Sequence, residues 1–182
     1  DLDGQAHVGE ALDVLELVVL DLDHVGVVLG QHAGHVQQLA RAVGEVDRTL
    51  ADRPEARARM LFEIARGYHN LGLDRTALAV GSRALTDFES LETPLPEHTA
   101  ALRLLAELRA RAGDTDAALS FVDRAIERER ASLPGSASRV AGLLVERGTV
   151  LRVATRHEEA RAAFAEAATH VEPGGGPGGY EK

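Results

Sequence analysis

LFEIARGYHNLGLDRTALAVGSRAL, from Leu61 to Leu85, recurs twice in this chain without a gap. The second copy is LRLLAELRARAGDTDAALSFVDRAI, from Leu102 to Ile126, and the third is LVERGTVLRVATRHEEARAAFAEAA, from Leu144 to Ala168. Small residues fall in three columns: Ala65, Ala106 and Gly148; Ala77, Ala118 and Ala160; Ala84, Ala125 and Ala167. The middle column is spaced by 41 and 42 residues. Self-similarity at a fixed period is the mark of a repeat architecture.

The spacing within each copy is helical. Leu61, Ile64, Ala65, Tyr68 and Leu71 recur at i, i+3, i+4 and i+7, which puts them on one face. Leu102, Leu105, Ala106 and Leu108 do the same in the second copy. Gly72 and Gly113 stand where a left-handed residue ends the first helix of each copy. Asp74, and Asp114 or Thr115, then stand where a side chain caps the next helix. Alanines on that second helix let two backbones approach closely. A single hairpin of this kind cannot bury its own apolar face, so neighbours must stack.

These residues resemble the tetratricopeptide repeat. Leu61, Ala65, Tyr68, Gly72, Ala77 and Ala84 match its pattern in the first unit; Leu102, Ala106, Gly113, Ala118 and Ala125 match in the second. Leu144, Gly148, Leu151, Ala160, Phe164 and Ala167 match in the third, with Pro173 just beyond. The period exceeds the family's usual length of about 34 residues and looks like the kinesin-light-chain variety. The pattern is broken at Gly81, Arg109, Arg147 and Thr155, the last in place of a turn glycine. The resemblance implies an all-α fold of antiparallel helical hairpins stacked as a right-handed α-α superhelix. It also implies a protein-interaction scaffold, cytoplasmic and without catalysis. The stretch from Asp52 to Leu61 looks like the segment just after the kinase domain in large bacterial serine/threonine kinases with C-terminal repeats. Bacterial transcriptional regulators with nucleotide-binding switch domains carry similar arrays. A structural or oligomerising spacer is the other expectation.

Composition divides the chain. The net charge is −9, and residues 1–40 hold seven acids and no Lys or Arg. An acidic chain argues against nucleic acid as a partner. Residues 1–45 read as a separate, poorly defined acidic segment whose Val, Leu, Asp, His and Gly content also fits a shifted reading frame of a GC-rich gene. Across its end, residues 36–51 (VQQLARAVGEVDRTLA) read as a helix leading into the repeats. The helical domain is expected over 46–171, and residues 172–182 as a flexible Gly-rich tail. No polar capping helix follows the third unit, and the chain begins at Asp1, as in a piece of a longer solenoid. Cysteine is absent, and no apolar run reaches the ~18 residues of a membrane span.

Metal and catalytic patterns are weak. Asp1, Asp3, Gly4 and Glu10 have partial EF-hand spacing, and Asp21, Asp23, His24, His32 and His35 form a loose histidine cluster. The first would need a ligand before residue 1 and has Ala6 in place of a branched apolar residue, and the second reads as solvated, so no cofactor or metal is expected. His157-Glu158-Glu159 is no zinc motif, because Arg161 stands where the second histidine belongs. The resemblance places a partner-binding groove on the first helices of the hairpins: Arg59, Phe62, Arg66, His69 and Asn70; Arg103, Glu107 and Arg111; Val145, Thr149 and Arg152. The expected ligand is a protein or peptide, and the arginines favour a carboxylate-bearing one.

Overall fold

The computed structural model describes residues 33–93, 95–131 and 136–170. Seven helices and no strand occur among them: α1 (Ala33–Thr49), α2 (Pro54–Asn70), α3 (Asp74–Ser90), α4 (Pro96–Arg111), α5 (Thr115–Ala131), α6 (Ala137–Val153) and α7 (His157–Thr169). The chain forms two compact units, one ending at Leu108 and the other beginning at Arg109. The fold is all-α, built from helical hairpins whose consecutive helices pack together.

Three turns of identical construction join the hairpins internally. Gly72 adopts φ 76°, and its N–H donates to His69 O at 2.9 Å while Leu73 N–H reaches back to Tyr68 O at 3.0 Å. Gly113 (φ 80°) and Asp114 repeat this onto Ala110 and Arg109 at 3.0 and 2.9 Å. Thr155 and Arg156 repeat it onto Arg152 and Leu151 at 3.1 and 2.9 Å. This is the Schellman ending, which satisfies carbonyls that the last helical turn leaves open. Thr155 takes the left-handed conformation, φ 60°, although it is not glycine. The backbone keeps the turn where the sequence departs from the pattern.

In the first unit, α2 starts with Pro54 at its first turn, where a missing N–H costs nothing. It buries Ala58, Leu61, Phe62, Ile64, Ala65 and Tyr68 and packs against α3. On α3 the buried residues are Ala77, Val80, Gly81, Ala84, Leu85 and Phe88, with the polar Thr76 and Asp87. A Cβ on Gly81 would come within 3.1 Å of Leu105 on α4 and 3.5 Å of the Ala65 Cβ. In the second unit, Leu119, Leu151, Ala160 and Ala163 form one buried cluster, with Val150 and Phe164 packed against it.

Two expectations need correction. Among the described residues, helix α1 already runs from Ala33 to Thr49, so the expected boundary at 45/46 falls inside it. That helix lies 41 residues before α3 at both ends, and its buried Val36 and Val43 hold the places of Ala77 and Ala84. It therefore matches the second helix of a hairpin in length and register. Asp74 does not stand at the cap position: α3 begins with it, and Leu73, which precedes it, makes no side-chain cap bond. Asp114 does cap α5, accepting from Ala117 N–H at 3.2 Å. The partial EF-hand residues, the histidine cluster apart from exposed His35, and the 172–182 tail lie outside the described residues.

Candidate functional site

The first helices of the hairpins carry the expected groove residues, and each unit presents its own set. In the first unit these are Arg59, Phe62, Arg66, His69 and Asn70 on α2, with Arg103 and Glu107 on α4. Arg59 reaches Glu55 on its own helix at 2.7 Å and Glu97 on α4 at 3.2 Å. Arg66 Nη1 donates to both oxygens of Glu63 at 3.0 Å and lies on the side chain whose guanidinium carbon is 5.8 Å from the centre of the Phe62 ring. His69 sits between two carboxylates, with Nδ1 3.1 Å from Asp74 and Nε2 3.4 Å from Glu107. Asn70 and Arg103 are exposed.

Phe62 belongs elsewhere. It is 5% exposed and packs edge-on against Phe88, with centroids 6.3 Å apart. Phe88 in turn stacks on the buried His98 of α4 at 5.9 Å. The helical spacing that put Phe62 beside Arg59 and Arg66 is real. The apolar stripe of α2 is simply wide enough to include it.

The second unit holds Arg111, Val145, Thr149 and Arg152, all exposed. Thr149 Oγ1 donates to Val145 O at 2.9 Å, turning the hydroxyl onto its own helix. The same unit has an open depression of about 460 Å³, lined by Leu119 and Ser120 and by the charged Asp116, Asp123, Arg124, Glu127, Arg147 and Arg156. Two of its guanidinium groups are matched by carboxylates, and that of Arg124 lies 5.6 Å from the centre of the Phe121 ring. Arg147 donates to Asp123 at 2.7 Å, and Arg156 donates to Asp116 at 3.0 Å and to both Glu159 oxygens at 2.7 Å. The hydrogen bond from Arg156 holds the Glu159 carboxyl below the usual carboxylate range. Sequence reading missed this depression, because its partners lie 24 and 40 residues apart and share no short motif.

The surface of α2 and the neighbouring part of α4 is thus a ladder of paired charges. Glu55, Glu63, Glu97 and Glu107 supply carboxylates beside Arg59, Arg66 and His69. Such exposed pairs contribute at most about 1 kcal/mol each. They orient the side chains more than they stabilise the fold. Among the described residues no three His, Asp or Glu side chains gather as a metal site, and no helix is long and apolar enough to cross a membrane.

The architecture has a counterpart among solved structures. BtubC (BKLC) from P. vanneervenii superposes with a TM-score of 0.55 at 23% identity, over 74% of this chain. The match spans 54% of BtubC, so this chain corresponds to about half of that protein. The likeness is one of fold: a helical-repeat array. No protein-family model and no curated protein matches the sequence.

Proposed function

We propose that this chain is a protein-interaction scaffold of the tetratricopeptide type, in its kinesin-light-chain-like variety. Its place is the repeat region of a larger cytoplasmic bacterial signalling protein, such as a serine/threonine kinase. The supporting observation is the threefold Schellman hairpin at 41- and 42-residue spacing, with the exposed polar faces of α2, α4 and α6 left over after core packing. Arrays of this kind offer extended surfaces rather than enclosed clefts. The ligand is a protein or peptide segment lying against Arg59, Arg66, Asn70, Arg103 and Glu107 in the first unit, and against Arg111, Thr149 and Arg152 in the second.

One observation favours the spacer reading instead. Arg59–Glu97 and His69–Glu107 tie α2 to α4 across the proposed binding face, so part of its charge is already matched. A panel of fluorescent decapeptides, acidic, basic and neutral, decides between the two by anisotropy. The scaffold reading expects at least one peptide to bind and the Arg66→Glu/Arg103→Glu variant to weaken it tenfold or more. If no peptide binds, or if the reversal leaves every affinity unchanged, the face is not a docking site.

A further inference from the structure

Every hairpin in a stacked array has a face that receives the next hairpin, and a terminal hairpin must carry something water tolerates there. In the second unit the receiving face of α5 is occupied. Leu119 is 6% exposed and clusters with Leu151, Ala160 and Ala163 of the α6–α7 hairpin. One turn further, Asp123 accepts from Arg147 of α6 at 2.7 Å. Ile126 comes next, buried at 4% exposure. Positions 119, 123 and 126 fall at i, i+4 and i+7, which is one helical face.

The equivalent positions on α3 hold Leu78, Ser82 and Leu85. On α7, 42 residues beyond α5, they hold Arg161, Ala165 and Ala168. All three of these α7 residues are exposed. The Arg161 side chain is 79% exposed, and it pairs with Glu158 on its own helix at 3.4 Å.

We propose that α7 closes the stack: its outer face is a solvent-facing cap on which no further hairpin of this register docks, whatever polypeptide comes after it. A hairpin placed there in the same register would bury Arg161 in the environment that surrounds Leu119. The side chains that the incoming hairpin packs around Leu119 are Leu151, Ala160 and Ala163, none of which accepts a hydrogen bond from a guanidinium, so desolvation opposes docking. Ala165 lacks the carboxylate with which Asp123 holds Arg147. Ala168 lacks most of the apolar surface that Ile126 buries. All three changes act in the same direction. The polar cap expected beyond the third hairpin is carried by α7 itself. This holds whether or not the array binds a peptide.

The test is to fuse a second copy of residues 132–170 after residue 173, in two versions. One keeps the native α7 face in the original hairpin; the other carries Arg161→Leu, Ala165→Asp and Ala168→Ile there, giving it the face of α5. Thermal unfolding followed by circular dichroism should place the native-face fusion within about 1 °C of the unfused chain, with the added copy cut first by protease. The substituted fusion should melt roughly 4 °C higher or more, the shift expected for one or two kcal/mol in a domain of this size. Stabilisation of the native-face fusion would overturn the proposal, and that fusion carries no substitution that threatens folding. Absence of any gain in a folded, substituted fusion would overturn it too, because the face would then not decide stacking.

Discussion

Gly148 faces the ring of Phe164 so closely that a Cβ on it would stand 2.6 Å from the ring. The two residues divide one space between them. In the first hairpin the same two positions are Ala65 and Gly81, where the glycine has moved to the second helix. In the second copy they hold Ala106 and Val122. The small-residue column is therefore a volume rule shared by two positions, not a demand for alanine at one. Gly148→Ala should cost about 1–2 kcal/mol in urea unfolding, because overpacking outweighs the helix propensity gained. The same change made in a Phe164→Val background should cost at least about 1 kcal/mol less, a coupling that a double-mutant cycle reads directly. Equal costs in both backgrounds would show that the ring swings aside freely.

Thr155 is the third turn's departure from glycine, and it carries the strain that departure brings. A β-branched residue in the left-handed region costs on the order of 1–2 kcal/mol. Thr155→Gly should raise stability by about 1 kcal/mol, some of the relief being returned as glycine's chain entropy. Gly72→Thr, the reverse exchange at the first turn, should lower it by a similar amount. Melting temperatures should move about 2–4 °C in opposite directions.

Those two cases show which parts of the molecule could be read beforehand. Turn glycines and alanine columns are local signals, so Gly72, Gly113 and even the misfit at Thr155 stood out by spacing alone. The register of α1 did not, because Val36 and Val43 replace the expected alanines and the surrounding composition differs. Asp74 looked like a cap from its position after Gly72. The helix instead starts one residue earlier than that reading requires, and the carboxylate lies beside His69. The charge pairs of the candidate site were out of reach for a different reason. Arg59 meets Glu97 and Arg156 meets Asp116 only after stacking has brought distant helices together, and no periodicity encodes which arginine keeps which acid.

Tyr68 is fully buried, and its hydroxyl has no hydrogen-bond partner among the described residues. Burial pushes its pKa up to about 12. A phenol without a partner gains nothing from its oxygen, so Tyr68→Phe should be neutral or stabilising by up to about 1 kcal/mol at pH 7. The sign of the pH dependence comes from linkage. The unfolded phenol ionises near pH 10 while the folded one still holds its proton, so wild-type stability falls as pH rises above about 10. Relative to Tyr68→Phe, the loss should approach about 1.4 kcal/mol per pH unit between pH 10 and 12. Parallel stability curves for the two proteins across that range would contradict the assignment.

Arg57 and Asp87 make the best-formed ion pair in the first unit. Nε and Nη2 donate to the two carboxylate oxygens at 2.8 and 2.5 Å, joining the start of α2 to the end of α3. The pair is unequal in burial: the Asp87 side chain is 9% exposed, the Arg57 side chain 29%. Removing one partner therefore does different harm from removing the other. Arg57→Ala strands a desolvated carboxylate and should cost about 3 kcal/mol, as breaking a buried pair does. Asp87→Ala leaves a guanidinium with access to water and should cost only about 1–2 kcal/mol. Replacing both, with Arg57→Met and Asp87→Leu, removes the stranded charge and should restore much of the loss, since apolar substitutes often match a buried pair. Equal losses in the two single variants would mean that water reaches Asp87 as readily as Arg57, and the asymmetry would have to be abandoned.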